Sequence, residues 1–555
     1  MSETRHDASG YRAEAIRSKG YLAWVMSSPA APPEPPSPGR MLLRTLTAPG
    51  QRLPVALGTL GLCGHQVAEM LVPVVIGAAV DDAVVGRDPR ALVGWLGVLA
   101  ALFVALTLCW RGGLIGTTRA YLRAEHTLRQ QVVARVLDDR GGPGRPPGAT
   151  LSLATSDAVR VAGTTWLLAG QVAAVAAVTT AAVSLLTISV PLAAALAVAM
   201  PLAVLVMHRL AAPLERRSDR EQAQAADAAA LATDLVGGMR VLQGLGASTA
   251  GADRYRRTSR ALLAARVGAA RARAWYLAGS EAASGVLVGA VALAAGWMTL
   301  RGSLTVGQLV TVVGLVQTVQ TPLTQTGQLM VGLAQKRASA ARLHDALAAP
   351  RVLPAAVAAA PTGATTLTAR VGDDLVLRVA RGEVVGLHAD TPGAGDLVDV
   401  LGARTAADPG AVLLDDVCAS TLGPALRTAV HAPPRDAHLF AGPLAEVVAP
   451  AGSVDADLLR AAVLDDVVTL LPEGTGSAVA AGGSNLSGGQ QDRVRLARAL
   501  HRDEPFLVLH EPAAAVDSVT EVALAAGLRA RPDKGVLVVT DSPALLAACD
   551  RVVRR

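Results

Sequence analysis

Charged side chains vanish from long stretches of this chain and return in blocks. Leu53 to Val80 is an apolar run interrupted by His65, Gln66 and Glu69, and Ala91 to Trp110 carries no charge. Each is long enough to cross a bilayer as a helix. Val161 to Met207 is 47 residues without a charged side chain, more than one crossing needs, and Pro191 sits near its middle. Two spans joined by a tight turn fit that stretch. Ala274 to Leu300 contains Glu281 as its one charge, Gly302 to Gln335 contains none, and Arg301 alone separates them. The pattern predicts six membrane spans.

Helical periodicity continues out of the spans through Tyr121 to Leu137 and Glu215 to Met239, without Pro or Gly clusters, so these spans are expected to project beyond the membrane. Residues 1–50 mix both charge signs with six prolines between Pro29 and Pro38. They read as a mobile cytoplasmic tail with no cleavable signal peptide. Residues 51–345 form the predicted six-helix membrane domain. After about Pro350 charges return and short apolar runs alternate with Gly and Pro turns, predicting a soluble α/β domain over 350–555.

Composition supports a membrane protein: 51% of the 555 residues are hydrophobic and 17% charged, and the mean hydropathy is +0.39. Aromatic residues are scarce (Trp 6, Tyr 5, Phe 3), which favours close-packed Ala, Val and Leu helices over an aromatic-girdled barrel. Cys63, Cys109, Cys418 and Cys549 show no paired spacing, so neither a disulfide framework nor a cysteine metal site is expected.

The net charge of +6 raises a nucleic-acid reading, which the distribution of Arg dismisses. His208 to Arg273 holds twelve Arg against six acidic residues, whereas Asp81 to Arg90 holds two against three. The Arg-rich connections therefore belong in the cytoplasm, facing anionic lipid head groups, with both termini on that side. No aromatic-interleaved basic patch supports nucleic-acid binding. An inner or plasma membrane location with multiple passes follows.

The sharpest chemical signal is Leu486-Ser487-Gly488-Gly489-Gln490, followed by an apolar-periodic helix through Leu500. Ser and two glycines at a helix start leave N–H groups and the positive end of the dipole free for an anion. Farther on comes Phe506 to His510, an apolar strand, then Glu511-Pro512 and Ala515-Val516-Asp517.

With these motifs in order behind six spans, the chain resembles the ABC transporter family, in particular exporter-type half-transporters that fuse a membrane domain to a nucleotide-binding domain. Leu486 to Gln490 matches the family signature motif, Leu507 to Glu511 resembles the Walker B strand with its catalytic glutamate, and Ala514 to Asp517 is similar to the D-loop. Gly302 to Gln308 and Ala338 to Leu343 also resemble family text, and Asp157 and Asp234 to Gly246 fall where its cytoplasmic coupling regions lie. The resemblance implies an ABC-type nucleotide-binding domain with ATP and Mg²⁺ as cofactors.

The phosphate loop departs from the family. Gly393 and Gly395 remain, but Asp396 stands where a Lys neutralises the β and γ phosphates, and Leu397 where a hydroxyl holds Mg²⁺. An anion about 4 Å from a phosphate reverses the sign of an interaction worth up to about 4 kcal/mol at an effective dielectric near 20. His510 replaces the metal-holding Walker B Asp, Arg435 the Q-loop Gln, and Asp541 the switch histidine. No Tyr occurs between Ala349 and Arg381 to stack on adenine. The chain is expected to hold no metal of its own, although Glu511 survives.

In the family two such domains pair head to tail, each ATP lying between one chain's phosphate loop and the other chain's signature. An intact signature beside a degenerate phosphate loop therefore resembles the auxiliary half of a heterodimer. Its partner would be a second ABC half-transporter with intact Walker A and B motifs. An importer of the same fold, such as for a metal chelate, and a non-transporting regulatory pseudoenzyme are the alternatives.

For an unidentified small-molecule or peptide cargo the sequence offers two groups. His65 and Glu69 share a helix face in the first span, as a functional site or an interhelical pair. Gln317, Thr321, Thr324 and Gln328 form a polar stripe in the sixth, lining a cavity or bonding neighbouring helices.

Overall fold

The computed structural model describes residues 36–554 except Gln328, Asp373, Asp374 and Ala451. Two compact units account for them. One comprises residues up to Val132 together with Leu151–Ala346, and the other Val133–Thr150 together with Leu347–Arg555.

The first unit is all helical. Its elements are α1 (Pro38–Thr47), α2 (Arg52–Ala79), α3 (Pro89–Val136), α4 (Thr164–Ile188), α5 (Val190–Gly237), α6 (Ser248–Leu300), α7 (Val306–Gly327) and α8 (Leu329–Ala348). The expected break near Pro191 falls at Ser189, whose extended backbone (φ −161°, ψ 113°) ends α4 and starts α5. Proline at the start of α5 suits its first turn, where no intrahelical donor is needed.

Among the described residues, three helical stretches are long and apolar enough by themselves to cross a membrane: Pro89–Val136, Gly148–Ile188 and Ser248–Leu300. The sequence pattern led us to expect six spans. α2 carries His65, Gln66 and Glu69, and α7 carries Gln308, Gln317 and Gln320. These polar residues lower the hydropathy of helices that nevertheless have the expected positions. Small residues let α2 and α3 approach: a Cβ on Gly58 would lie 2.6 Å from Thr117 N. Such backbone proximity is how membrane helices gain packing without a hydrophobic drive.

The tail prediction needs correction over its last part. Residues 38–47 form α1, which buries Met41, Leu42 and Thr45 and exposes Arg40 and Arg44. Pro38, the last proline of that cluster, occupies the first turn of this helix, a position that suits its fixed backbone. Residues 1–35 lie outside the described part.

The second unit contains a parallel sheet ordered β11 (Arg551–Val553), β3 (Val384–Leu387), β10 (Gly535–Val539), β9 (Phe506–His510) and β6 (Val430–His431). An antiparallel sheet is ordered β2 (Leu375–Ala380), β1 (Thr366–Val371), β4 (Val412–Leu414) and β5 (Val417–Cys418), and β7 (Gly442–Pro443) pairs with β8 (Ala478–Val479). β3 and β10 are buried along their whole length, as continuous apolar strands of a parallel sheet should be. One apolar cluster contains Leu387, Leu397 and Val539, and another Leu439, Val494 and Val538. Both use residues of β3, β9 and β10, so they cover the two faces of the sheet.

Residues 133–150 of the predicted membrane domain belong with this unit. Leu353 N donates to Arg140 O at 2.8 Å, Arg427 Nη1 to Asp139 O at 2.7 Å, and Asp138 pairs with Arg351 at 2.8 Å.

Candidate functional site

β3 delivers the chain into the loop His388–Pro392, which ends at Gly393 before helix α9 (Ala394–Leu401). Gly393 has φ +86°, and a Cβ there would lie 3.0 Å from Gly372 N. A glycine is needed for both reasons. The strand, loop and helix expected for phosphate binding are therefore present. Asp396 is exposed in the first turn of α9. Leu397 is 5% exposed and packs in the apolar core.

Asp541 lies just after β10. Its Oδ1 accepts from Ala389 N at 3.0 Å and, more distantly, from Asp390 N at 3.4 Å, and sits 3.5 Å from His388 Nδ1. Asp541 N in turn donates to Glu511 Oε1 at 3.2 Å, and Thr540 Oγ1 to Glu511 Oε2 at 3.3 Å. Glu511 adopts φ 49°, a left-handed conformation that costs free energy for a side-chain-bearing residue. The ends of β9 and β10 and the start of the loop are thus joined through two carboxylates.

Arg435, His510 and Glu511 line one shallow hollow with Pro434, Asp492 and Arg495. The structure brings together these three predicted positions. The side chains of His510 and Leu397 offer no oxygen to a cation, whereas Glu511 and Asp492 bring carboxylates to the same hollow.

The signature segment is formed differently. Helix α10 (Gly488–Leu500) starts from Ser487, whose Oγ accepts from Gln490 N at 3.3 Å while Ser487 N donates to Gln490 Oε1 at 2.8 Å. This reciprocal capping box fixes the helix start. The first intrahelical bond is Gln491 N to Ser487 O, 2.9 Å, so the amides of Gly488 and Gly489 precede the ladder and remain available to an anion. Ser487 and Gly488 are exposed.

Two contacts that sequence reasoning missed hold the D-loop against this start. Asp492 Oδ2 accepts from Ala515 N at 3.1 Å, and a Cβ on Gly489 would meet Ala515 O at 2.8 Å. Only the invitation of glycine at 489 hinted at such an approach. Asp517 caps helix α11 (Ser518–Gly527), accepting from Val519 N, Thr520 N and Thr520 Oγ1. The hydrogen bonds from Thr520, foremost, hold its carboxyl below the usual range.

In the helical unit His65 and Glu69 engage different neighbours. His65 Nδ1 is 3.1 Å from Leu106 O and its ring 5.0 Å from that of Trp110, both on α3, while Glu69 Oε2 accepts from Gln66 Nε2 at 2.7 Å. Gln317 and Thr321 are exposed on α7. The side chain of Thr324 and all of Gln328 lie outside the described residues. Asp157, 3% exposed, accepts from Arg342 Nη2 at 2.5 Å and Nε at 3.2 Å, uniting two segments that the sequence had singled out separately.

Residues 55–323 match the family model of the ABC transporter transmembrane region. The chain is 30% identical over 519 residues to a multidrug efflux ATP-binding/permease protein of Mycobacterium tuberculosis, an alignment covering 88% of this chain and 43% of that protein. It is 30% identical over 278 residues to a mycobactin import ATP-binding/permease protein of Mycolicibacterium thermoresistibile, 46% of this chain and 48% of the relative. An ATP-dependent lipid A-core flippase of Ralstonia nicotianae is 34% identical over 193 residues, covering 33% and 32%. The chain spans less than half the length of these relatives. A solved bacterial Atm1-family ABC exporter with ATP bound superposes with a TM-score of 0.74 at 20% identity, covering 92% of this chain and 94% of that one. At that identity the likeness is one of fold.

Proposed function

We propose, from the premise that this chain belongs to the ABC transporters of exporter-type fold, that it is the auxiliary half of a heterodimeric, ATP-driven transporter in the inner or plasma membrane. The observation that carries this reading is a contrast within one domain. The signature helix keeps a capped start with free glycine amides, whereas the phosphate loop presents Asp396, a buried Leu397 and a carboxylate on its first amides. An anion-binding helix start serves a phosphate held elsewhere.

In this reading the partner's phosphate loop holds ATP and its Mg²⁺, which neutralises phosphate charge there. Ser487 to Gln490 close that site from across the interface. Gly488 and Gly489 approach the γ phosphate without a side chain in the way, and Asp492 and Asp517 keep the adjoining D-loop in place. This chain's own pocket contributes no turnover. Both termini face the cytoplasm, and a small molecule or peptide is the cargo.

Export is the direction we favour, in keeping with the relative named for multidrug efflux, whose alignment covers most of this chain. The relative named for mycobactin import keeps uptake as the second reading. A regulatory protein without transport would have no use for an anion-ready signature.

The test compares the purified full chain with the same chain co-assembled with a half-transporter carrying intact Walker motifs, both in nanodiscs. Magnesium-dependent ATP hydrolysis is expected from the pair alone. Robust hydrolysis by the isolated chain removes the auxiliary-subunit reading, and ATP-dependent accumulation in inverted vesicles separates export from uptake.

A further inference from the structure

No Lys or Arg occurs in Leu53–Val80, Ala91–Trp110, Val161–Met207, Ala274–Leu300 or Gly302–Gln335. Glu69 stands in the first of these stretches, on α2. At about 1.5 Å per residue it lies about 25 Å along the helix from Arg52 and about 15 Å from Ala79, well inside a hydrocarbon layer of about 30 Å. An ionised carboxylate at that depth is costly unless a cation meets it. His65, the basic side chain nearest in sequence, turns away to α3, with Nδ1 3.1 Å from Leu106 O and its ring against Trp110. Glu69 is held by Gln66 alone, whose Nε2 donates to Oε2 at 2.7 Å. Among the described residues its Oε1 has no donor, and the side chain is only half-buried.

α7 brings more polar groups to the same level. A Cβ on Gly307 would lie 2.0 Å from Gly77 O, and one on Gly314 would lie 2.7 Å from Pro73 Cβ. These two contacts set α2 and α7 antiparallel in one register. Gln66, Glu69 and Pro73 recur at three and four residues on one side of α2, and Gly314, Gln317 and Thr321 recur likewise on α7. One turn inward from the Pro73–Gly314 contact, that register places Glu69 level with Gln317 and Gln66 level with Thr321. Gln317 and Thr321 are exposed. The two polar groups that the sequence offered separately therefore lie side by side at one depth, the carboxylate and the carboxamide oxygens supplying acceptors.

Acyl chains satisfy none of these groups. An anion would be repelled by Glu69, and a neutral molecule would leave its charge uncompensated. A protonated amine offsets the charge and donates N–H bonds to the remaining acceptors.

We propose that Glu69, with the carboxamides of Gln66 and Gln317, forms a mid-membrane site for a cationic nitrogen group, so that the cargo is an amphiphilic amine. This names the cargo class of the proposed transporter and rests on that reading.

The test uses the full chain in phosphatidylcholine nanodiscs with dansylcadaverine, a fluorescent primary amine, beside its uncharged N-acetylated form. The amine should bind saturably, and the acetylated form about tenfold more weakly or worse. Glu69→Gln should weaken amine binding about tenfold or more and leave the acetylated form within about twofold. Gln317→Ala, at an exposed position, should weaken the amine about threefold, and it decides the matter should Glu69→Gln not give monodisperse protein. Absence of saturable amine binding, equal binding of the two forms, or unchanged amine affinity in the variant measured overturns the site. So does a Glu69→Gln chain that binds the amine normally yet fails to assemble with a second half-transporter, which makes Glu69 the counter-ion of a partner's cation. Binding needs neither nucleotide nor hydrolysis. These outcomes are therefore read apart from hydrolysis by the isolated chain, which counts against the reading of the nucleotide site.

Discussion

Asp541 Oδ1 accepts a hydrogen bond from Ala389 N at 3.0 Å, so a carboxylate of this chain sits on the first amides of its own phosphate loop. The same residue donates its N–H to Glu511. Glu511 is thereby drawn into bonds with the end of β10. Charge adds to this geometry: Asp390 lies in the loop and Asp396 in the first turn of α9, where a phosphate would face anions.

Restoring a single charge should therefore not restore the pocket. Asp396→Lys in the isolated chain is expected to leave magnesium-dependent hydrolysis at background and to improve binding of a fluorescent nucleotide analogue by less than about tenfold. Leu397 remains buried without a hydroxyl, and His510 still offers no oxygen. Micromolar binding with turnover after this one change would refute the account of the site.

The unit should lose stability in mild acid through His431, a β6 residue on the parallel sheet. Burial, the largest cause, lowers its pKa from 6.5 to about 4, with Glu504 opposing and neighbouring cations assisting. The neutral ring is favoured in the fold, so the associated stability is present above pH 6.5 and is lost as pH falls through 4, up to about 3 kcal/mol. Thermal unfolding of the full chain between pH 7 and 4 should show this slope, and His431→Leu should flatten it.

Lys534 behaves in the same sense at higher pH. It is 2% exposed, donates to Glu504 O at 2.6 Å, and is lowered to about 8, chiefly by burial. Stability from this group is gained as pH rises from 8 toward 10.5. Lys534→Met should remove that gain in the same unfolding experiment.

Gly489 tests the D-loop contact. Its missing Cβ leaves room for Ala515 O, and Gly489→Val should force the two apart, costing about 1–3 kcal/mol. The paired transporter should lose hydrolysis, and proteolysis near Ala515 should quicken. Unchanged unfolding temperature and cleavage would mean that the D-loop is held elsewhere.

Local pattern made much of this legible. The buried strands β3, β9 and β10 are short continuous apolar runs, the signature helix shows its cap and periodicity, and Ser189 breaks the long apolar stretch beside Pro191. Contacts between distant segments were not legible. Nothing local to Asp541 marks it as a ligand for Ala389, because hydrogen bonds between elements depend on how those elements pack. His65 and Glu69 show the same limit: helical spacing placed them on one face, yet their bonds go to Leu106 and Gln66. Pro38 misled for a different reason, since proline both breaks helices and starts them, and this one stands in the first turn of α1.

The strongest prediction is an asymmetry, because Ser487 and Glu511 are assigned to different pockets. Ser487 is exposed beside the amides of Gly488 and Gly489, which in the proposed reading serve phosphate held by a partner, whereas Glu511 is engaged by Thr540 and Asp541. Ser487→Arg should remove the cap and place bulk where the amides approach the γ phosphate, lowering hydrolysis by the assembled pair by about a hundredfold or more. Glu511→Gln should change it by less than about threefold, since a glutamate outside the active pocket abstracts no proton. The corresponding glutamate change in the partner should be severe. Both variants are measured in the assembled pair at saturating ATP and magnesium. If Glu511→Gln stops turnover while Ser487→Arg is tolerated, the pockets are assigned the wrong way round, and the chain is a hydrolysing half that works without a Lys in its phosphate loop.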